Sequence, residues 1–307
     1  LAEEREEERV LRALSAKVET HHLQLLLGVE ILTRLDFALA KARYAEVLNG
    51  STPAIIEGER QYIGLVGARH PLLEGKAVPI DLTVGDMTPV LLITGPNAGG
   101  KTVGLKTIGL LTLMAQAGLQ VPAREATLTL FDGVYSDIGD QQSIGRSMST
   151  FSSHIENLHR IMGRATNRSL VLIDELGTST DPEEGAALAK AIINHFAGRG
   201  VTLVATTHHR DVAAYVQEQP AMVNASVELD PRSLAPTYRL SLGLPGRSYA
   251  LTIAASLGLA REVVEEAQSL LGPTHAQAEG LLKELQEERH LAAEQRLEAE
   301  VAWREAE

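Results

Sequence analysis

The feature that most constrains the fold is a glycine-rich octapeptide, GPNAGGKT, at residues 95–102. It matches the pattern G-x-x-x-x-G-K-[ST], whose backbone N–H groups surround phosphates. The apolar run at residues 90–93 predicts a buried strand before it. A helix is predicted after it, ending at Gly118, with apolar residues mostly on one face: Val103, Leu105, Ile108, Leu111 and Met114. A glycine-rich turn that precedes a lysine by chance is the alternative, and the strand–loop–helix context disfavours it.

The ligand predicted for this loop is ATP with Mg²⁺. Glycines let backbone N–H groups approach phosphate oxygens closely, and the helix N-terminus adds the positive end of its dipole. Lys101 is expected to reach the β- and γ-phosphates, and the Thr102 hydroxyl to ligate Mg²⁺. The predicted nucleotide-binding residues are Gly95, Pro96, Asn97, Ala98, Gly99, Gly100, Lys101, Thr102 and Val103.

A second apolar run, at residues 169–173, ends in Asp174 and Glu175. An acid at the end of a buried strand beside a phosphate loop can hold Mg²⁺, and the next acid can deprotonate the attacking water. We therefore assign Asp174 to the metal and Glu175 to the general base. The alternative is an ordinary pair of charges where a strand ends. Asp181, with Glu184 three residues later, resembles a capping box that starts the next helix.

A third strand-like run, at residues 201–207, leads into His208 and His209. His208 is placed to contact the γ-phosphate or the attacking water, which would make it a catalytic residue. The alternative is that it caps the helix that starts near Asp211, and the spacing leaves both open. His209 is expected to be an exposed neighbour.

The pattern along the chain predicts three regions. Residues 1–48 contain no proline and repeat apolar residues at helical spacing, which predicts a helical base. Residues 49–272 alternate strand-like runs with amphipathic helices, which predicts an α/β domain with a mostly parallel central sheet. Residues 273–307 are polar and predict a helical or coiled-coil arm. Because the chain opens on Leu1 within a charged helical pattern, we expect a piece of a longer protein.

Charge and composition restrict the partners. The formal net charge is −12, which disfavours a large nucleic-acid clamp and predicts weak or absent DNA binding by this chain alone. No apolar run approaches the length of a membrane span, so no membrane partner is expected. The chain has no cysteine, and no stretch has the basic start and apolar middle of a signal peptide, so we expect a cytoplasmic protein.

The three strand-end motifs, in this order, resemble the ABC-type class of P-loop NTPases. Five stretches resemble the MutS family in particular: "TGPNAGGKT", "ARHPLLE" at 68–74, "IDELGTSTDPEEG" at 173–185, "ATTHH" at 205–209 and "GLPGRSYALTIAASLGL" at 243–259. "STFSSHI" at 149–155 and "DELGTSTDPEEGAAL" are closest to the second-type branch, whose members are associated with suppression of recombination.

This resemblance implies a homodimer with two composite ATP sites. Ser149 and Thr150 would reach the partner's γ-phosphate from the N-terminus of a helix, although Ser149 is equally suited to cap that helix within its own chain. The family implies action on branched or recombination-intermediate DNA, and contact with ribosomes is a further expectation. Nuclease activity would lie outside this chain, because nothing here resembles the family's nuclease-like domain. Two features stay without an assigned role, the segment Asp140-Gln141-Gln142 and His70, which either edges an adenine pocket or packs in its loop.

Three functional hypotheses follow. The first is a dimeric engine that binds and hydrolyses ATP. The second is a module in which the nucleotide gates dimerisation with little turnover. The third, a transporter's nucleotide-binding subunit, is disfavoured because the chain lacks the sequence Leu-Ser-Gly-Gly-Gln.

Overall fold

The computed structural model describes residues 2–73, 75, 77–96, 99–139, 150–178, 180–230, 235–246 and 249–271, together with residues 280 and 288. The chain divides into two compact units, Leu1–Gly50 and Ser51–Glu307. The predicted arm at 273–307 lies almost entirely outside the described residues.

The first unit consists of two helices, α1 (Ala2–Thr20) and α2 (His22–Leu48), which adjoin at His21. Helix α1 has acidic residues in its first turn and no buried residue. Helix α2 ends at Asn49, whose left-handed backbone (φ 48°) closes the last turn. Residues 2–48 are therefore helical except at His21, and the role of this segment as a base stays a prediction.

The second unit alternates strands and helices. Its strands are β1 (Ala54–Ile55), β2 (Tyr62–Ala68), β3 (Ile80–Gly85), β4 (Val90–Thr94), β5 (Glu125–Leu128), β6 (Gly133–Asp137), β7 (Ser169–Ile173), β8 (Thr202–Thr206), β9 (Met222–Leu229) and β10 (Pro236–Leu242). Its helices are α3 (Lys101–Gln116), α4 (Thr150–Arg164), α5 (Pro182–Gly198), α6 (Arg210–Gln217), α7 (Ala250–Ser256) and α8 (Arg261–Leu270).

The strands form two sheets. The smaller has the order β1-β5-β2-β3 and is antiparallel except for the pairing of β1 with β5. The larger has the order β10-β9-β4-β8-β7-β6, and only the pairing of β10 with β9 is antiparallel. The prediction of an α/β fold with a mostly parallel central sheet is confirmed.

Helices cover both faces of the larger sheet. Side chains of α4, α5 and α6 pack with Val90, Leu92, Val171 and Ile173 in one apolar cluster. Helix α3 packs on the opposite face, where a Cβ added at Gly109 would lie 2.4 Å from Leu172 Cδ1. Strands β4, β7 and β8 are consequently buried along their whole length. Because these strands are parallel, their carboxyl ends meet at one edge of the sheet.

None of the helices in the described part of the chain combines the length and the apolar character that a bilayer span requires.

Candidate nucleotide-binding site

The phosphate loop joins the end of β4 to the start of α3, as the motif predicts. Gly95 has φ 125°, and a Cβ there would lie 2.5 Å from the carbonyl oxygen of Val227. Gly100 immediately precedes α3 with φ 92° and makes no side-chain capping bond. A helix N-terminus has N–H groups without intrahelical acceptors, and such groups suit an anion bound at the loop. Asn97 and Ala98 lie outside the described residues.

Lys101 lies inside this loop. Its side chain is almost completely buried, and Nζ donates to the carbonyl oxygen of Gly95 at 2.7 Å. Burial lowers the pKa of Lys101, while the charges of Glu175 and Asp174 act in the opposite direction. The ammonium group is thus within electrostatic range of both strand-end carboxylates.

The structure brings Thr102 and Asp174 into direct contact. Thr102 Oγ1 donates to Asp174 Oδ2 at 2.7 Å, across 72 residues of sequence. Asp174 is buried, and its other oxygen, Oδ1, accepts from Thr206 Oγ1 at 2.5 Å. One hydroxyl and one carboxylate therefore meet at the edge of the sheet beside Lys101.

Glu175 follows with an exposed side chain and a left-handed backbone of φ 52°. Its N–H donates to Thr206 Oγ1 at 2.8 Å. The loop then passes against the start of α5, where a Cβ added at Gly185 would lie 2.1 Å from the carbonyl oxygen of Gly177. Asp181 caps α5 by accepting from the N–H groups of Glu183 and Glu184, in agreement with its predicted structural role.

The two histidines after β8 differ from the prediction. His209 is half-buried and its Nε2 lies 2.9 Å from the carbonyl oxygen of Gly177, so the prediction that it is an exposed neighbour is wrong. The cause is the loop at Gly177, which passes over β8 and supplies an acceptor. His208 is the exposed ring and stacks on His209 at 4.8 Å. Helix α6 begins after His209, so His208 does not occupy its N-cap position.

The pKa of His208 connects it with the phosphate loop. Partial desolvation of its ring lowers the pKa first, followed by the charge of His209, and the charge of Lys101 also lowers it. The charge of Glu175 raises it. His208 is thus electrostatically coupled to the predicted base and to the loop lysine.

A cavity of about 450 Å³ opens beside the start of α3. Most of its wall is apolar, and Val103, Tyr238, Leu240 and His70 contribute to it. Tyr238 has φ 56° at a bulge in β10, and a Cβ added at Gly100 would lie 2.9 Å from its ring. His70 lines this cavity, and its Nδ1 also accepts from the N–H of Leu72 in its own loop at 3.3 Å, so both interpretations of His70 stay open. Desolvation lowers the pKa of His70.

The segment that follows β10 contacts the start of the phosphate loop. Thr94 Oγ1 donates to the carbonyl oxygen of Ala225 at 3.1 Å and accepts from the N–H of Gly246 at 2.6 Å. A Cβ added at Gly246 would lie 2.7 Å from Gly95 Cα. The two backbones therefore touch where the loop leaves β4.

Sequence reasoning missed a polar cluster between β6 and α4. His154 Nδ1 lies 2.7 Å from Asp137 Oδ2, and Asn157 Nδ2 donates to Asp137 Oδ1 at 2.7 Å. The carbonyl oxygen of Asp137 accepts from the N–H of Asp174 at 2.8 Å. The spacing of His154 and Asn157, three residues apart in a helix, was the available signal. Ser149 lies outside the described residues, as do Asp140, Gln141 and Gln142, while Thr150 begins α4.

These residues fit ATP with Mg²⁺. A side chain at Gly95 would collide with the backbone of Val227, so only glycine fits where the loop passes β9. A hydroxyl oxygen and a carboxylate oxygen are the hard ligands that Mg²⁺ prefers. Among the described residues no cluster of three or more acidic or histidine side chains forms a separate metal site.

The fold and the loop together define a P-loop NTPase with a mostly parallel sheet. Residues 91–273 match the sequence profile of MutS domain V, which covers more than half of the chain. The chain therefore belongs to the MutS family, as its motifs predicted.

Relatives point to the second-type branch of that family. The chain is 47% identical to Endonuclease MutS2 of Halothermothrix orenii, over 97% of this chain and 38% of that protein. It is 50% identical to Endonuclease MutS2 of Shouchella clausii, over 93% of this chain and 36% of that protein. It is also 50% identical to Endonuclease MutS2 of Pelotomaculum thermopropionicum, over 98% of this chain and 38% of that protein. The chain thus spans little more than a third of these relatives' length.

Proposed function

We propose that this chain binds ATP with Mg²⁺ and hydrolyses it, as the ATPase part of a MutS-type protein that acts on DNA. The observation that carries the proposal is the contact between Thr102 and Asp174 at 2.7 Å, directly beside Lys101. The phosphate loop and the acidic strand end are far apart in sequence. Their convergence at one sheet edge is what triphosphate chemistry requires.

Each residue has a defined part in this chemistry. Lys101 and the N–H groups at the start of α3 bind the phosphate oxygens. Thr102 and Asp174 would hold Mg²⁺, which when bound neutralises charge on the phosphates. Glu175 accepts a proton from the attacking water and orients it towards the γ-phosphate. His208, which is coupled to Glu175, contacts the same end of the triphosphate.

The apolar cavity is the proposed site for the base of the nucleotide. It adjoins Gly100 and Lys101, so a triphosphate held by the loop can extend into it. The Tyr238 ring offers a flat aromatic surface for stacking, while Val103 and Leu240 supply apolar contact.

We extend the proposal to dimerisation and to DNA. Thr150, which begins α4, and Ser149, which precedes it in the sequence, would complete the partner's ATP site in a homodimer. The net charge of −12 favours DNA contact through other parts of a longer protein, where endonuclease activity would also lie. We propose branched or recombination-intermediate DNA as the substrate, with suppression of recombination as the outcome and ribosomes as a further partner.

Calorimetry on Lys101→Ala tests the binding site. We expect ATP affinity to fall by at least about 100-fold, because the phosphates lose a charge-assisted donor inside the loop. Lys190→Ala, on α5, removes the same charge away from the loop and should bind ATP like the unaltered protein. Equal ATP uptake by Lys101→Ala would contradict the proposed site.

Glu175→Gln separates turnover from binding. We expect kcat to fall by about 10²–10⁴-fold while ATP affinity is retained, because only proton transfer is removed. Glu183→Gln, in the first turn of α5, is the matched control and should hydrolyse ATP normally. Unchanged hydrolysis in Glu175→Gln would remove Glu175 from the base role. If the unaltered protein binds ATP and forms ATP-dependent dimers with negligible turnover, the nucleotide-gated module replaces the engine.

A further inference from the structure

Thr206, the last residue of β8, forms hydrogen bonds with three consecutive residues that follow β7. These are Asp174, Glu175 and Leu176. Its side chain is fully buried. Its hydroxyl donates to Asp174 Oδ1 at 2.5 Å and accepts from the N–H of Glu175 at 2.8 Å. Its carbonyl oxygen accepts from the N–H of Leu176 at 2.8 Å. Thr206 lies in the ATTHH stretch at 205–209, but the sequence alone gives it no role beyond that of a β-branched residue in a buried strand.

The first consequence concerns the orientation of Asp174. A carboxylate has two oxygens and can rotate about its last side-chain bond. Thr206 engages Oδ1, and the carboxylate is thereby held with Oδ2 at 2.7 Å from Thr102 Oγ1. The oxygen that faces the phosphate loop is thus selected by a residue on the neighbouring strand.

The second consequence concerns the backbone of Glu175. Its φ of 52° is a left-handed conformation, which residues with a side chain adopt reluctantly. The N–H groups of Glu175 and Leu176 both donate to Thr206, on either side of this conformation. The direction in which the Glu175 side chain leaves the strand end therefore depends on Thr206.

We infer that Thr206 is a shared positioning residue, whose single hydroxyl aligns the metal-facing oxygen of Asp174 and the backbone of Glu175. This inference rests on the proposed ATPase function and deepens it. A hydroxyl suits the task because it donates one hydrogen bond and accepts another at the same atom. Groups that orient metal ligands in this way commonly change metal affinity or activity by about 10–100-fold when removed.

The test compares Thr206→Val, Thr206→Ser and Thr206→Ala with the unaltered protein. Valine keeps the shape and loses the hydroxyl, while serine and alanine differ from each other by the hydroxyl alone. Thr202→Val, at the other end of β8 and equally buried, is the matched control. ATP affinity is measured by calorimetry with Mg²⁺ and again with EDTA, and kcat and KM are measured separately.

We expect Thr206→Val to bind ATP in EDTA with the affinity of the unaltered protein. With Mg²⁺, its ATP affinity should be about 10–100-fold lower than that of the unaltered protein. Its kcat should fall in the same range, whereas Thr206→Ser and Thr202→Val behave like the unaltered protein. If the valine variant does not fold, the difference between the serine and alanine variants decides the question.

Three results would overturn the inference. In the variants that lack the hydroxyl, Mg²⁺ could raise ATP affinity as much as in the unaltered protein, or ATP affinity could fall as much in EDTA as with Mg²⁺. In the unaltered protein, Mg²⁺ could leave ATP affinity unchanged. The proposed function fails separately, if the unaltered protein does not bind ATP at all. In that case Lys101→Ala would also show no difference from it.

Discussion

The α2 helix and the buried strands of the larger sheet are both rich in apolar residues, yet they differ completely in burial. Leu23, Leu26 and Leu32 of α2 are 64–70% exposed, whereas Leu91, Leu92 and Leu170 are fully buried. The apolar residues of α2 lie around its whole circumference, so no single face gathers them. Apolar content therefore does not decide burial. The strands are buried because helices cover both faces of their sheet.

Polar contacts differ in the same way between the two regions. The first unit has exposed ion pairs between residues one helical turn apart, Arg9 with Glu6, Arg12 with Glu8 and Arg34 with Glu30. Such pairs contribute little to stability. At the sheet edge, bonds join residues far apart in sequence, such as Thr102 with Asp174. The groups of the candidate site are therefore brought together by the fold, whereas the ion pairs of the first unit form within one helix.

The largest expected difference comes from truncating one leucine in each region. Leu91→Ala in β4 should lower the free energy of unfolding by about 2–5 kcal/mol, because it leaves a cavity in a packed core. Leu26→Ala in α2 should change it by no more than about 0.5 kcal/mol, because that side chain is exposed. Urea denaturation of both variants measures this. Similar losses in the two variants would show that α2 is buried in solution.

A glycine in each region gives the next contrast. A Cβ at Gly28 of α2 meets nothing within 4 Å, so Gly28→Ala should stabilise the protein by about 0.5–1 kcal/mol. A Cβ at Gly109 of α3 would collide with Leu172, so Gly109→Ala should destabilise it by about 1 kcal/mol despite the better helix propensity. Thermal unfolding compares them, and a stabilised Gly109→Ala would contradict the close packing of α3 on β7.

The helix starts of the two regions also differ. Asp181 caps α5 with two backbone hydrogen bonds, whereas His21, before α2, makes no side-chain capping bond. Asp181→Ala should therefore lower the free energy of unfolding by about 1 kcal/mol. The paired variant His21→Ala should change it by less than about 0.5 kcal/mol. Denaturation curves that rank them in the opposite order would contradict this assignment of the caps.

The smallest expected effect is a change in the titration of His208. The positive charge of His209 lowers the pKa of His208, so His209→Gln should raise that pKa. The negative charge of Glu175 raises it, so Glu175→Gln should lower it and keep the ring neutral to lower pH. Nuclear magnetic resonance of the His208 ring across a pH series measures both. Shifts of the same sign in the two variants would contradict the coupling.

The strand–loop–helix order and the parallel sheet could be predicted because they depend on local signals. Glycine spacing identifies the phosphate loop, and the apolar runs at 90–93, 169–173 and 201–207 identify three strands of the parallel sheet. Thr206 and Asp137 could not be predicted, because each acts through a partner on a neighbouring strand or helix. The exposure of His209 was misjudged for the same reason, since its partner, the carbonyl oxygen of Gly177, arrives from a distant loop.

The contact between Gly246 and Thr94 ties the phosphate loop to a residue that follows the last strand. A chain cut at Leu242, after the last strand, would contain every phosphate-loop residue. It would still lack the N–H group of Gly246 that donates to the Thr94 hydroxyl. Such a truncation would loosen the loop where it leaves β4. Under the proposed function, a displacement of Gly246 would disturb this hydrogen bond, and the position of α7, which follows in the chain, would thereby be coupled to triphosphate binding.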